Sequence, residues 1–352
     1  MTKTNFRKKC LSLLISLILS ININAYDIVI DGLCYSVVNL EDMTVSLTYC
    51  SRDLKGDFVV PDTIVFKGKK LTVVNIGDQA FYCCEKLTSV VLPNTVKTIG
   101  EWAFAHCSKL TSIKLPDSLI IIDNDTFRRS NLVSITLPKT LTAIGSGAFS
   151  GCYQLTSITI PESIKEIHDL AFEACSSLKE VIIMDSEDAI YMPSSDNVFK
   201  YCYGIESLYL GRSVYNIQSK DYHWPLAFFY ASKITIVQGG LVNSERFTNL
   251  REVESLSKNP LPITFTNSVY LNATLYVPVG TKAIYEATDG WKQFWTIEER
   301  KFETSSVGSS VIDKVIVPSV YYNIRGEKLD KLQKGMNIVR DKNGNARKII
   351  IK

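Results

Sequence analysis

Histidine is nearly missing from this 352-residue chain: His106, His168 and His223 are the whole supply. General acid–base catalysis and zinc binding both draw on imidazole, so a catalytic or zinc-dependent role starts from a poor inventory. Excess charge of either sign is missing too, with 39 basic against 36 acidic residues. Four of the basic ones, Lys3, Arg7, Lys8 and Lys9, sit at the N-terminus, and without them the balance is −1. Such a chain carries no field to hold nucleic acid or an anionic membrane. No Gly-x-Ser-x-Gly elbow, Gly-Lys-Thr loop or His-Glu-x-x-His pair occurs. Cys107 beside His106 is no nucleophile and base, because neighbours on a strand or turn point apart. Asp185, Glu187 and Asp188 read as a solvated acidic loop. The sequence predicts no enzyme, no cofactor and no metal.

Long apolar runs are lacking beyond residue 25. The basic run Arg7-Lys8-Lys9 leads into a mostly apolar stretch from Cys10 to Ile23, followed by Asn24-Ala25. As a helix that stretch reaches only ~21 Å against a hydrocarbon core of ~30 Å. Basic start, short apolar core and small-residue exit predict a secretory signal over residues 1–25, cleaved after Ala25. The mature chain is then exported, with no transmembrane helix.

What the sequence has in quantity is a repeat. Leu87-Thr-Ser-Val-Val-Leu-Pro93, Leu110-Thr-Ser-Ile-Lys-Leu-Pro116, Leu132-Val-Ser-Ile-Thr-Leu-Pro138 and Leu155-Thr-Ser-Ile-Thr-Ile-Pro161 overlay, with proline spacings of 23, 22 and 23. After them come Val96-Lys-Thr-Ile-Gly100, Leu141-Thr-Ala-Ile-Gly145 and Ile164-Lys-Glu-Ile-His168. Phenylalanines follow in register at 81, 104, 127, 149, 172 and 199. In Leu-x-x-Ile-x-Leu the apolar side chains face one way along an extended strand, and proline ends it because it cannot donate to a ladder. A unit this short cannot bury its apolar face alone, whereas stacked copies bury it against one another. The prediction is a mostly β solenoid of parallel strands, with six rungs spanning roughly 25–30 Å at ~4.8 Å each. Gly77, Gly100 and Gly145 alternate with Asp123 and His168 in one register. All three residue types tolerate positive φ, so a left-handed turn is expected there.

The cysteines divide into two groups. Cys84, Cys107, Cys152, Cys175 and Cys202 each follow the register phenylalanine by three residues, with Ser130 in the gap, and read as stacked interior thiols. Parallel side chains on neighbouring rungs keep their Cβ atoms too far apart for rung-to-rung disulfides. Cys34 and Cys50 are equidistant from Asp42, where a hairpin is expected to turn, so a cross-strand disulfide between them competes with two free thiols.

The unit Leu-x-x-Ile-x-Leu-Pro, Val-x-x-Ile-Gly, Ala-Phe-x-x-Cys resembles the BspA-type leucine-rich repeat family of secreted and surface proteins. Ala25-Tyr26-Asp27, Asp31-Gly32 and Gly56-Asp-Phe-Val-Val-Pro61 resemble its N-terminal hairpin. Asn272-Ala-Thr-Leu-Tyr-Val-Pro278 with Gly280, Tyr285, Trp291, Phe294 and Ile297 resembles its closing unit. The implied fold is a right-handed leucine-rich-repeat solenoid with an N-terminal β-hairpin cap, a C-terminal capping unit and a small C-terminal β appendage. The expected divisions are signal 1–25, cap 26–60, solenoid 61–256 (irregular from about 203), capping unit 257–300, linker 301–315 and tail 316–352. The tail, with Gly335-Met-Asn-Ile-Val-Arg340 and Lys348-Ile-Ile-Ile-Lys352, resembles the C-terminal sorting tails of exported Bacteroidetes proteins.

Function must then come from a surface. The outward rows of the strand ladder hold Thr88, Thr111, Val133, Thr156, Lys179 and Glu206; Ser89, Ser112, Ser134, Ser157, Glu180 and Ser207; and Val91, Lys114, Thr136, Thr159, Ile182 and Tyr209. Tyr222 and Trp224 add aromatic area near the C-terminal end. The resemblance implies a monomeric binding protein, secreted or on the outer cell surface, that adheres to host matrix or cell-surface proteins or to other bacteria through a protein or glycan ligand. The alternative is a structural component that self-associates in a surface layer or biofilm.

Overall fold

The computed structural model describes residues 28–186, 188–193, 195–212, 214–215, 231–236, 243–244, 247, 249–260 and 262–302, and the strands between 320 and 351. The signal at 1–25, most of the linker, His223, Tyr222 and Trp224 lie outside the described residues.

The chain winds into a parallel β-solenoid whose coils each contribute to three columns. In the coil that starts at Leu87, Leu87 and Val90 point inward from the strand Lys86–Val91, and Leu92, just past its end, is buried with them. Pro93 ends that strand, and its carbonyl accepts the Val96 amide at 3.0 Å to close a turn. Pro116, Pro138 and Pro161 repeat that bond with Leu119, Leu141 and Ile164. The short strand Thr98–Ile99 follows, then a run of tight turns carrying Ala103, Phe104 and Cys107 into the core. Short strands stack in parallel from Asn75-Ile76 through Thr98–Ile99, Ile121–Ile122, Ala143–Ile144 and Glu166–Ile167 to Ile190–Tyr191. The turn runs are laddered as well. Amides of Gln79, Phe81 and Cys83 donate to carbonyls of Glu101, Ala103 and Ala105 one coil on, and the next coil repeats the pattern from Trp102, Phe104 and His106.

The phenylalanine column stands as expected. Phe81, Phe104, Phe127, Phe149, Phe172 and Phe199 are fully buried, and successive centroids lie 4.8, 5.6, 5.3, 5.1 and 5.0 Å apart. Interplanar angles never exceed 18°. The thiols stack beside the rings: Cys107, Cys152, Cys175 and Cys202 donate to carbonyls of Phe81, Phe127, Phe149 and Phe172 at 3.1, 3.2, 3.3 and 2.9 Å.

Three expectations are corrected. The left-handed residues sit two positions beyond the glycine register, at Gln79, Trp102, Asp125, Gly147 and Leu170, and again at Cys83, His106, Arg129, Gly151, Ala174 and Tyr201. The register glycines serve close approach instead: a Cβ on Gly100 would meet the Asp78 amide nitrogen at 2.8 Å, and one on Gly145 the Asn124 nitrogen at 2.7 Å. Secondly, Cys34 and Cys50 are not directly opposite in the hairpin: Cys34 pairs with Tyr49 and Cys50 with Leu33. Bulges at Cys34/Tyr35 and Val37/Asn39 shift the hairpin register, so equal distance from Asp42 does not make the two cysteines opposite. Thirdly, residues 132–138 form no strand, which interrupts the long-strand column between Ser112–Lys114 and Ser157–Ile160. The corner before this unit, Ser130-Asn131-Leu132, is one residue shorter than Cys107-Ser-Lys-Leu110 or Cys152-Tyr-Gln-Leu155. The shortened period and the missing cysteine fall at the same corner. Ile135 is left half-buried, while its counterparts Val90, Ile158 and Val181 are buried.

Both ends continue the columns. At the N-terminus Thr44–Cys50 pairs in parallel with Lys69–Ile76, and Lys55–Val59 pairs in parallel with Lys86–Val91, so the first rung begins inside the expected cap. Toward the C-terminus Ser207–Leu210, Lys233–Ile236, Glu252–Ser255, Thr274–Pro278 and Thr296–Arg300 keep one parallel sheet. The irregular spacing after residue 203 therefore leaves this column intact. The last coils exchange the tight turns for short helices, Asn267–Asn272 and Lys282–Ala287. Tyr285 and Trp291, both buried, close the core, and the Tyr285 hydroxyl donates to the Ser257 carbonyl at 2.7 Å and lies 2.6 Å from Ser255 Oγ. The tail contains a separate four-stranded antiparallel sheet within 320–351.

Candidate functional site

The outward rows lie where strand alternation puts them, but their chemistry differs from rung to rung. Thr111, Val133 and Thr156 are exposed. The Thr111 hydroxyl turns back to the Thr88 carbonyl and that of Thr156 to the Val133 carbonyl, both at 3.3 Å. Thr88 and Ser89 both donate to Asp57 Oδ1, at 2.9 and 2.7 Å. Much of this hydroxyl ladder is therefore occupied in holding rungs together. Lys179 and Glu206 form an open ion pair at 3.1 Å on neighbouring rungs. In the third row Val91, Lys114 and Thr136 are exposed, and Thr159 is half-buried.

Ile182 does not belong to an accessible face, being 4% exposed. Its ladder partner Tyr209 is drawn back across that rung by a 2.9 Å hydrogen bond from its hydroxyl to Asp185 Oδ1. Burial and the Asp185 charge both push the Tyr209 phenol above its ordinary range. Asp185 is thus committed to Tyr209, while Glu187 lies outside the described residues. Among the described residues no group of three His, Cys, Asp or Glu side chains converges as a metal site.

The same rows run on further than the regular repeat. After Tyr209 the third row continues through Thr235, Glu254 and Tyr276, and the second through Lys233 and Glu252. Here charge replaces hydroxyls. Lys233 Nζ donates to Glu252 Oε1 at 2.8 Å and to Glu254 Oε1 at 3.0 Å, and Thr235 donates to Glu254 Oε2 at 2.7 Å. Arg300 Nη1 meets the same two carboxylates at 2.8 and 2.6 Å. Burial works against ionisation of Glu252, but hydrogen bonds from Lys233 and Arg300 outweigh it and hold the carboxyl below its ordinary range. Carrying the repeat register across the irregular segment to Lys233-Ile-Thr-Ile and Glu252-Val-Glu-Ser is the sequence signal for this cluster; Arg300 gives none.

A second cluster lies on the turn face. Tyr82 sets its edge against Trp102 and His106 at 6.2 and 5.6 Å, while Arg128 covers Trp102 at 5.7 Å and is paired with Asp125 at 2.9 Å. Burial, then Arg129 and Arg128, push the His106 imidazole below its ordinary range and favour the neutral ring. Cys107 points the other way, into the core, as expected of neighbours on a turn.

No curated protein matches the chain. Among solved structures it is similar to a leucine-rich repeat protein from Bacteroides ovatus (26% identity, 80% of each chain covered, TM-score 0.49). It is also similar to the T. pallidum leucine rich repeat protein (28% identity, 51% of this chain and 80% of that one, TM-score 0.44). A third likeness is to the pneumococcal vaccine antigen PcpA (16% identity, 78% and 98% covered, TM-score 0.46). Residues 74–206, which carry the phenylalanine column and the regular rungs, match in six copies the family described as the BspA type leucine rich repeat region.

Proposed function

We propose that this chain is an exported, non-enzymatic binding protein that presents the outward face of its long-strand column to a protein or glycan on another surface. Adhesion to host matrix, host cells or other bacteria is the role this reading assigns. The observation that carries it is the accessible strip from Val91, Lys114 and Thr136 to the Lys179–Glu206 pair, which no further element of the described chain covers. A rigid column of parallel rungs holds such a strip in fixed register, and so limits the conformational entropy lost on binding. Export rests on the basic and apolar N-terminal pattern, and surface delivery on the likeness of the tail to sorting tails.

The test is retention of the monodisperse monomer on immobilised matrix proteins and glycans. Saturable retention that is reduced at least tenfold by Lys114→Glu with Thr136→Lys supports the reading. Absence of retention, together with growth of the particle as concentration rises, overturns it in favour of a self-associating surface component.

A further inference from the structure

We infer that Cys50 and Cys84 are the site of a disulfide that fastens the N-terminal cap to the first full coil. Every later cysteine of the interior column finds a carbonyl one rung below: Cys107, Cys152, Cys175 and Cys202 donate to main-chain oxygens of Phe81, Phe127, Phe149 and Phe172. Cys84 opens the column and has no phenylalanine rung beneath it. Its sulfur instead lies 3.1 Å from the sulfur of Cys50, and the nearest carbonyl, that of Ser51, is 3.9 Å away. That sulfur separation is inside the van der Waals contact of two unbonded sulfurs and about 1 Å longer than a disulfide bond.

The objection to rung-to-rung disulfides in the repeat does not reach this pair. Cys50 ends the strand Thr44–Cys50, which pairs antiparallel with Leu33–Asn39 on one side and parallel with Lys69–Ile76 on the other. At that end its sulfur meets the Cys84 sulfur at 3.1 Å, closer than parallel side chains on successive rungs would bring them. The backbone already holds the two segments together, since the Cys50 amide donates to the Ala80 carbonyl at 2.9 Å. The two thiols also polarise one another. The hydrogen bond from Cys50 lowers the Cys84 thiol against the opposing effect of burial, with Arg52 adding to the lowering, while the Cys50 thiol is pushed up.

The oxidant is a small-molecule disulfide such as oxidised glutathione. The thiolate of either cysteine, Cys84 for instance, attacks one of its sulfurs, the glutathione S–S bond breaks, and one glutathione leaves with the electron pair and takes a proton. Cys50, losing its own proton to solvent, attacks Cys84 Sγ of the mixed disulfide and expels the second glutathione. Two protein thiols are oxidised and one disulfide is reduced to two thiols. Both sulfurs are 1% exposed or less in the folded chain, so the exchange takes place before the cap seats on the coil.

The experiment refolds the reduced, unfolded full chain in a mixture of oxidised and reduced glutathione, alkylates remaining thiols, and maps peptides without reduction. The expected result is one dominant linked pair containing Cys50 and Cys84, lighter by two hydrogens, with Cys10, Cys34, Cys83, Cys107, Cys152, Cys175 and Cys202 alkylated. Alkylation of both Cys50 and Cys84, or a dominant link of either to another cysteine, overturns the inference. Adding a reductant to the oxidised wild type should lower its melting temperature and leave that of a Cys50→Ala/Cys84→Ala variant where it was. Equal shifts in the two proteins also overturn it. Neither readout depends on the ligand, so this inference and the binding role fail separately.

Discussion

Arg300, on the last rung of the long-strand sheet, holds its guanidinium 3.4 Å from the centre of the Tyr276 ring on the rung before. From there it reaches Glu252 and Glu254 one rung further back, at 2.8 and 2.6 Å. Since Lys233 grips the same two carboxylates from the opposite side, four rungs are tied where the solenoid runs out. An open solenoid end frays first because it has only one neighbour, and a clip across several rungs opposes that.

Acidification should open this clip. The Glu252 carboxyl is held below its ordinary 4.5 in the folded state, because the Lys233 and Arg300 hydrogen bonds outweigh burial. A depressed carboxyl contributes stability that is fully present above the unfolded value and is lost as pH falls through the folded one. Urea unfolding between about pH 5 and about pH 3 should show the wild type losing stability more steeply than Glu252→Gln. Identical slopes would remove Glu252 from the account.

The ring column predicts a large and local penalty. Phe149 is fully buried, with Phe127 at 5.3 Å and Phe172 at 5.1 Å on its two sides. Phe149→Ala removes the ring and both stacks, and should cost about 3–5 kcal/mol in denaturant unfolding. A loss under about 1 kcal/mol would mean that the rungs collapse freely into the gap.

Left-handed positions occupied by other residues are places to gain stability. Gln79 is exposed with φ at 57°, in the register that Gly147 fills at 63°. Gln79→Gly should stabilise by about 0.5–1 kcal/mol, since the steric cost of a left-handed L-residue exceeds the added chain entropy of glycine. Gly147→Ala should destabilise, because a Cβ there also runs into the Asp125 carboxylate. Thermal melts of the two variants that shift in the same direction would contradict this.

The short corner at Ser130-Asn131-Leu132 predicts a soft rung. Amides of residues 134–137 should exchange with deuterium faster than those of Ser157–Ile160, which are paired in the ladder. Inserting one residue after Asn131, together with Ser130→Cys, should slow exchange at 134–137. Unchanged exchange would show that the missing residue is not what breaks the strand.

Most of the architecture was legible because a repeat aligns itself. The spacing of Phe81, Phe104, Phe127, Phe149, Phe172 and Phe199 marks one buried column whatever the shape of the coil between. The thiols at Cys107, Cys152, Cys175 and Cys202 followed from the same register, as did the strands around Leu87, Leu110 and Leu155. Local geometry was less legible. A register glycine can report either a positive φ or a close approach of backbones, and only the neighbouring coil at Asp78 and Asn124 distinguishes them. The hairpin register depended on two bulges that residue counting does not reveal. At the candidate face, Lys114 and Thr136 are exposed as strand alternation predicts, whereas Ile182 is buried beside Tyr209, whose hydroxyl is turned to Asp185.

The sequence by itself determined the coil, its period and which side chains line the interior, because those follow from hydrophobic periodicity repeated until only stacking can bury it. The tertiary structure decided what passes between coils: the Arg300 clip, the burial of Ile182 and the meeting of Cys50 with Cys84. The first and last of these join residues 34 to 48 positions apart, and the geometry of all three exists only once the rungs are stacked.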